Sequence, residues 1–121
     1  MKLEKLTPNV DRRGILVEAF KMPNDGQVFY VIAEAGETRG NHYHLRKTEH
    51  FVVVDGTAEI HSKDRETGNI MKVELSGDSP MCVTIPPNNT HYFYSKFGAI
   101  FLVWCDEVFN KDDPDTFAEE I

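Results

Sequence analysis

Residues 36–56 read GETRGNHYHLRKTEHFVVVDG, and this stretch decides the fold. Side chains in a strand alternate between faces, so His42 and His44 point to one side and Tyr43 to the other. Two imidazoles on one face, two residues apart, can grip a single metal ion. Glu49 follows the turn at 45–48 and opens the next strand, where its carboxylate can join from the neighbouring strand. A further ligand has to come from a distant strand, and His91 in IPPNNTHYFYS (85–95) offers one. A lone H-x-H pair is more often a surface or core feature than a metal site, so the reading rests on the whole spacing.

Outward from this stretch, short β-rich runs recur with turn signals between them. The runs are 14–20, 28–33, 40–44, 51–54, 57–61, 70–75, 81–85, 91–95 and 100–108. Between them lie MPNDG, EAGETRG, VDGT, DRETGN, SGDSP, PPNN and KFG. Such punctuation predicts an antiparallel sandwich or barrel. Asp55-Gly56 and Thr67-Gly68-Asn69 are expected as hairpin turns. No helical period extends beyond a turn or two, and the tail NKDDPDTFAEEI is expected either to form one helical turn or to lie across the barrel. The expectation is an all-β, single domain over residues 1–121.

Composition narrows the function. A chain of 121 residues buries roughly two-thirds of its unfolded surface, which is enough for one core without staples. No apolar run reaches the roughly 18 residues of a membrane span, and MKLEKLTPNV lacks a signal-peptide core, so a cytoplasmic protein is expected. Cys82 and Cys105 stand singly in apolar runs and read as buried free thiols. The net charge of −7 argues against nucleic acid and anionic membranes as partners. A phosphorylated small molecule stays open, because Arg39, Arg46 and Lys47 cluster between residues 38 and 48 without an acid.

The spacing G-x5-H-x-H-x4-E-x6-G, followed by P-x-N-x2-H-x3-S, resembles the two motifs of the cupin superfamily. Asn88 stands where a glycine is usual, and Ser95 where an asparagine is usual. The resemblance implies a jelly-roll barrel (a double-stranded β-helix) holding a metal on His42, His44, Glu49 and His91. Three imidazoles and a carboxylate suit zinc, iron, manganese, nickel or copper without choosing among them. Within the superfamily, DRRGILVEAF (11–20), RGNHYH with KTEHFVVVDG, and WCDEVFN with DPDTF resemble the C-terminal cupin domain of the capsular polysaccharide reductase/epimerases. More distantly, the sequence is similar to the dTDP-sugar 3,5-epimerases and 3,4-ketoisomerases.

The closer resemblance implies zinc as the metal, and C3 epimerisation of a 4-keto-6-deoxy nucleotide sugar in polysaccharide biosynthesis. No Rossmann glycine motif is present, so a stand-alone epimerase or isomerase is expected, its product passing to another enzyme. Arg39 is the leading candidate for the substrate diphosphate, with Lys47 and Tyr92 as further binding candidates. A surface salt bridge is the plainer role for Arg39, and core packing for the tyrosines. His44, as in the metal-free branches, is the expected base if no metal binds. If metal binds, Tyr94, Tyr92, Lys47 or a metal-held water takes that role. His50 and His61 are read as structural or exposed. Two alternatives remain: another metal-dependent cupin enzyme such as a small oxygenase, and a non-catalytic metal-binding module. A homodimer is expected because the apolar strands leave edges to cover.

Overall fold

A computed structural model describes residues 1–22 and 25–121 of the chain. Its strands are β1 (Lys2–Lys5), β2 (Pro8–Asp11), β3 (Gly14–Val17), β4 (Gln27–Ala33), β5 (Thr38–Tyr43), β6 (Glu49–Asp64), β7 (Ile70–Ser76), β8 (Met81–Ile85), β9 (Asn89–Tyr94), β10 (Ala99–Cys105) and β11 (Phe117–Ala118). All the pairings between these strands are antiparallel. No helix among the described residues is long and apolar enough to cross a membrane.

Strand β6 organises the barrel. Its first half pairs with β8 and β10, and β1 and β4 extend that sheet outward. Its second half pairs with β7 and β9, and β5 and β11 extend the other sheet. The expected Asp55-Gly56 hairpin is therefore corrected: the two predicted strands, 51–54 and 57–61, are one strand turning a corner between sheets. Its register against β10 slips so that Phe101 faces Val53 while Ile100 faces Asp55, leaving Val54 as a bulge. The inward face changes parity there, from Glu49, Phe51 and Val53 to Ala58, Ile60 and Ser62. Gly56 permits the corner, because its φ is +79° and a Cβ would stand 2.4 Å from the Gly98 carbonyl oxygen.

Between the sheets lies an apolar core that includes Phe51, Val53, Ile60, Leu75, Val83, Ile85, Phe93, Phe101 and Val103. Apolar residues alternate along most of these strands, so each sheet turns a largely apolar face inward. The run 99–105 forms β10 and supplies Phe101, Val103 and Cys105 to this core. Asp11-Arg12-Arg13-Gly14 turns the β2–β3 hairpin, with the Asp11 carboxylate accepting the Arg13 N–H at 2.8 Å. The 67–69 turn lies between β6 and β7, where Asp64 N–H donates to the Asn69 carbonyl at 2.9 Å. The expected MPNDG turn falls partly on Pro23 and Asn24, outside the described residues. The tail forms no helix; β11 lies antiparallel along β5.

Candidate metal centre

Strand β5 carries a bulge that aims its histidine. Gly40 (φ +106°) and Asn41 (φ +56°) both take left-handed conformations, and the register against β9 shifts between Gly40 and His42. A Cβ on Gly40 would meet the His91 carbonyl oxygen at 2.9 Å, so only glycine lets the strands approach this closely. The slip sets His42 directly opposite His91, and opposite residues of an antiparallel pair share a face. Their ring centroids are 4.8 Å apart, as are those of His42 and His44. Glu49, at the start of β6, is buried beside them. One ligand atom from each of His42, His44, Glu49 and His91 can be chosen so that all lie within 4.8 Å of one another.

The hydrogen bonds around this cluster dictate what it can hold. His44 Nδ1 is 2.7 Å from the Asp115 carbonyl oxygen, which can only accept, so Nδ1 carries the proton. His44 therefore turns Nε2 inward, in hydrogen-bond contact with Glu49 Oε1 at 2.6 Å. His91 repeats the pattern: Nδ1–H donates to the Asn89 carbonyl at 2.9 Å, and Nε2 stands 3.0 Å from the same Oε1. That contact lacks hydrogen-bond geometry, and Nε2 is buried with no hydrogen-bond partner among the described residues. Burial alone would raise the Glu49 carboxyl, but the imidazoles of His44 and His91 outweigh it and hold the group well below the usual carboxylate range. A carboxylate oxygen and two imidazole Nε2 atoms thus converge on one point. A divalent cation fits such a donor set, and outward N–H groups fixed on carbonyls are the usual way histidine ligands are oriented.

His42 differs from its neighbours. It is half-buried, lines the cavity, and makes no side-chain hydrogen bond among the described residues. Burial first, then the neighbouring His91 and His44, push its ring down to about 4, so it is neutral around pH 7.

The cluster forms the floor of a cavity of about 670 Å³ between the sheets. His42, Glu49 and His91 face it, its walls include Phe29, Phe51, Phe93 and Phe101, and Arg39 stands on it from β5. His44 lies behind the others. Arg39 is exposed and forms no ion pair among the described residues, so the plainer salt-bridge role is not what the structure shows. The rest of the basic cluster is spent elsewhere. Arg46 pairs with Glu107 at 3.1 Å and Asp113 at 3.2 Å. Lys47 is buried outside the cavity lining, its Nζ 5.9 Å from the Phe109 ring centroid.

Tyr92 and Tyr94 are not brought to the site. They alternate with His91 and Phe93 along β9 and line a different depression, on the other face of the sheet. There Tyr92 stacks on His61 at 4.5 Å. His50 stacks on Trp104 at 4.6 Å and bonds Thr84. Asn88 takes the left-handed conformation (φ +62°) that its place in the motif requires, and Ser95 donates to the Thr57 carbonyl at 2.7 Å.

Two residues to which the sequence assigned no part in the site touch the centre. Cys105 Sγ lies 3.4 Å from Glu49 Oε2 and can donate to it; burial, with the Glu49 charge, pushes that thiol up to about 12. Asp115 holds His44 from behind. Its only sequence signal was the D-P-D-T-F ending, to which spacing assigns no partner. Cys82 is also a buried free thiol, pushed up to about 11 chiefly by burial.

Two antiparallel sheets joined through one bent strand, with three histidines and a glutamate on the cavity floor, define a cupin-type barrel. The chain belongs to the polysaccharide biosynthesis C-terminal domain family, whose pattern matches residues 9–117. It is 35% identical over 111 residues to the Pseudomonas aeruginosa UDP-2-acetamido-2,6-beta-L-arabino-hexul-4-ose reductase, covering 89% of this chain and 30% of that protein. It is similar to the capsular polysaccharide assembling protein CapF of Staphylococcus aureus, at 36% identity and a TM-score of 0.76, over 96% of this chain and 34% of the other. The chain thus spans about a third of the length of these two relatives. Its fold also matches the 3,5-epimerase RmlC of Legionella pneumophila, solved with dTDP-4-keto-L-rhamnose, at 21% identity and a TM-score of 0.82, over 96% of this chain and 70% of that one.

Proposed function

We propose that this barrel is a metal-dependent epimerase or isomerase acting at C3 of a 4-keto-6-deoxy nucleotide sugar in polysaccharide biosynthesis. The observation that carries the reading is the convergence of three imidazoles and a carboxylate, with His91 Nε2 orphaned among the described residues, on the floor of a nucleotide-sugar-sized cavity whose wall bears an arginine with no ion pair among the described residues. The relatives support the substrate class: one is named for a UDP-linked hexul-4-ose, and one is a capsular polysaccharide assembling protein. A proton next to a ketone is acidic because its loss leaves an enolate. When bound, a divalent metal such as zinc supplies positive charge that stabilises this enolate.

The chain's own residues do the rest. His44, Glu49 and His91 are anchored and hold position. The phenylalanine walls lower the local dielectric and strengthen the charges beside them. His42 faces the cavity as a neutral, unanchored ring, and we assign the C3 proton to it. This replaces His44, both of whose ring nitrogens are already engaged. It also replaces Lys47, Tyr92 and Tyr94, which do not line the cavity.

Arg39 is assigned to the diphosphate. Replacing Arg39 with alanine is expected to weaken UDP and UDP-sugar binding roughly 10–100-fold, the worth of a charge-assisted hydrogen bond. Lysine should restore only part, because the guanidinium fork is lost. A thermal-shift and calorimetric series over UDP, dTDP and their 4-keto-6-deoxy sugars tests this. Unchanged UDP affinity in the alanine variant would remove Arg39 from the site.

The chain is also proposed to work as a homodimer. Among the described residues, hairpin β2–β3 pairs with no other strand, and it exposes Val10 (69%), Ile15 (68%) and Leu16 (72%). Edge strand β4 exposes Tyr30 and Ile32. A lone two-stranded hairpin is marginal in water, and a second copy would cover these surfaces. Sedimentation should give a dimer, and Leu16→Glu should give a monomer. A monomeric wild-type protein at micromolar concentration contradicts the proposal.

A further inference from the structure

We propose that Asp115 is a positioning residue that clamps the C-terminal segment onto the metal centre and fixes which nitrogen of His44 faces it. The inference rests on the metal reading above. Asp115 is 3% exposed although it sits in an otherwise exposed tail, and its backbone is left-handed at φ +46°. Such burial of a carboxylate is costly unless every oxygen is used. Here all three acceptors are. Oδ1 accepts the Leu45 N–H at 2.9 Å, and Oδ2 accepts the Arg46 and Lys47 N–H groups at 3.0 and 3.2 Å. The main-chain carbonyl accepts His44 Nδ1–H at 2.7 Å.

These bonds have one consequence for the centre. The loop after His44 presents successive amide donors that no strand satisfies, and one carboxylate collects them. That grip holds the Asp115 carbonyl against the ring, and the carbonyl in turn holds the proton on Nδ1. The adjoining chain secures the clamp: β11 pairs Phe117 with Tyr43 and Ala118 with His42, and the Phe117 and Tyr43 rings stack at 5.2 Å. Glu119 continues it, donating its N–H to the Asn41 carbonyl at 2.9 Å and pairing with Arg65. The tail is thus tied to both sides of the H-x-H pair, 70 residues away in sequence.

The test uses the full chain with Asp115→Ala and Asp115→Asn. Cobalt(II) affinity is measured by chelator competition at a temperature where each variant is folded. The His44 ring proton is followed by ¹⁵N–¹H correlation in metal-free protein. Alanine is expected to weaken cobalt binding about 10–100-fold, as losing an orienting partner does, and to abolish the protected Nδ1–H signal. Asparagine, which keeps one acceptor oxygen, should fall between. A purely stabilising residue would lower the unfolding temperature but leave the affinity of the folded protein unchanged, and that result overturns the inference. Should alanine prevent folding, asparagine decides by the same measures. If wild-type protein takes up no cobalt, the metal reading fails, and the ring proton alone decides: its loss in the variants supports the clamp, and its persistence rejects it.

Discussion

Replacing His42 with glutamine is expected to lower C3 proton exchange by roughly 10²–10⁴-fold, the usual worth of a positioned acid or base, while metal stays bound. The asymmetry within the ligand set is the reason. His44 and His91 each have Nδ1–H tied to a carbonyl, whereas His42 has no such tie and faces the cavity. The anchored pair with Glu49 keeps the metal, so its affinity should fall by less than it does when Glu49 is replaced by alanine. A stability measurement supplies a second readout. The folded ring is lowered from 6.5 to about 4, so between those values the unfolded chain binds a proton that the folded chain refuses. Metal-free wild-type protein should therefore lose stability as pH falls from 6.5 toward 4, and the glutamine variant should lose less. Loss of metal together with exchange would make His42 an ordinary ligand and leave the proton transfer unassigned.

Replacing Glu49 separates the centre from the fold. Glu49→Ala removes the anion on which His44 and His91 converge, and metal affinity should fall by more than the roughly 100-fold that losing an outer partner costs. Glu49→Gln should lose metal comparably yet give a metal-free protein at least as stable as wild type. The uncharged carboxamide can both donate to and accept from the inward Nε2 atoms of His44 and His91, which face a carboxylate in the native protein. The observable is the gain in unfolding temperature on adding zinc, large in wild type and absent in both variants. A zinc-dependent gain retained by Glu49→Gln would show that the carboxylate is not a ligand.

Much of this site was legible because its signals are local. The H-x-H pair and Glu49 lie on one strand, one turn and one strand start, so alternation places them. His91 required the longer spacing through Asn88. Tyr92 and Tyr94 were misassigned although the same alternation applies: they differ in parity from His91 and therefore face away from the cavity. Lys47 lies in a loop, where alternation gives no direction, and its amide answers to Asp115. Asp55-Gly56 illustrates a different limit. A hairpin and a bulged corner use the same left-handed residue, and only the partners of β6, scattered from β7 to β10, decide between them. Asp115 was beyond reach for a related reason: its role exists only once the tail has crossed β5.

Solvent deuterium incorporation tests the central claim most directly. Purified protein, as metal-loaded and chelator-treated samples, is incubated in D₂O with a UDP-linked 4-keto-6-deoxy sugar. The label is then located by mass spectrometry and NMR. The account predicts deuterium at C3 with the loaded protein, and its loss with the stripped protein and with Glu49→Ala. Full C3 exchange by the metal-free protein, or none by the loaded one, would contradict it.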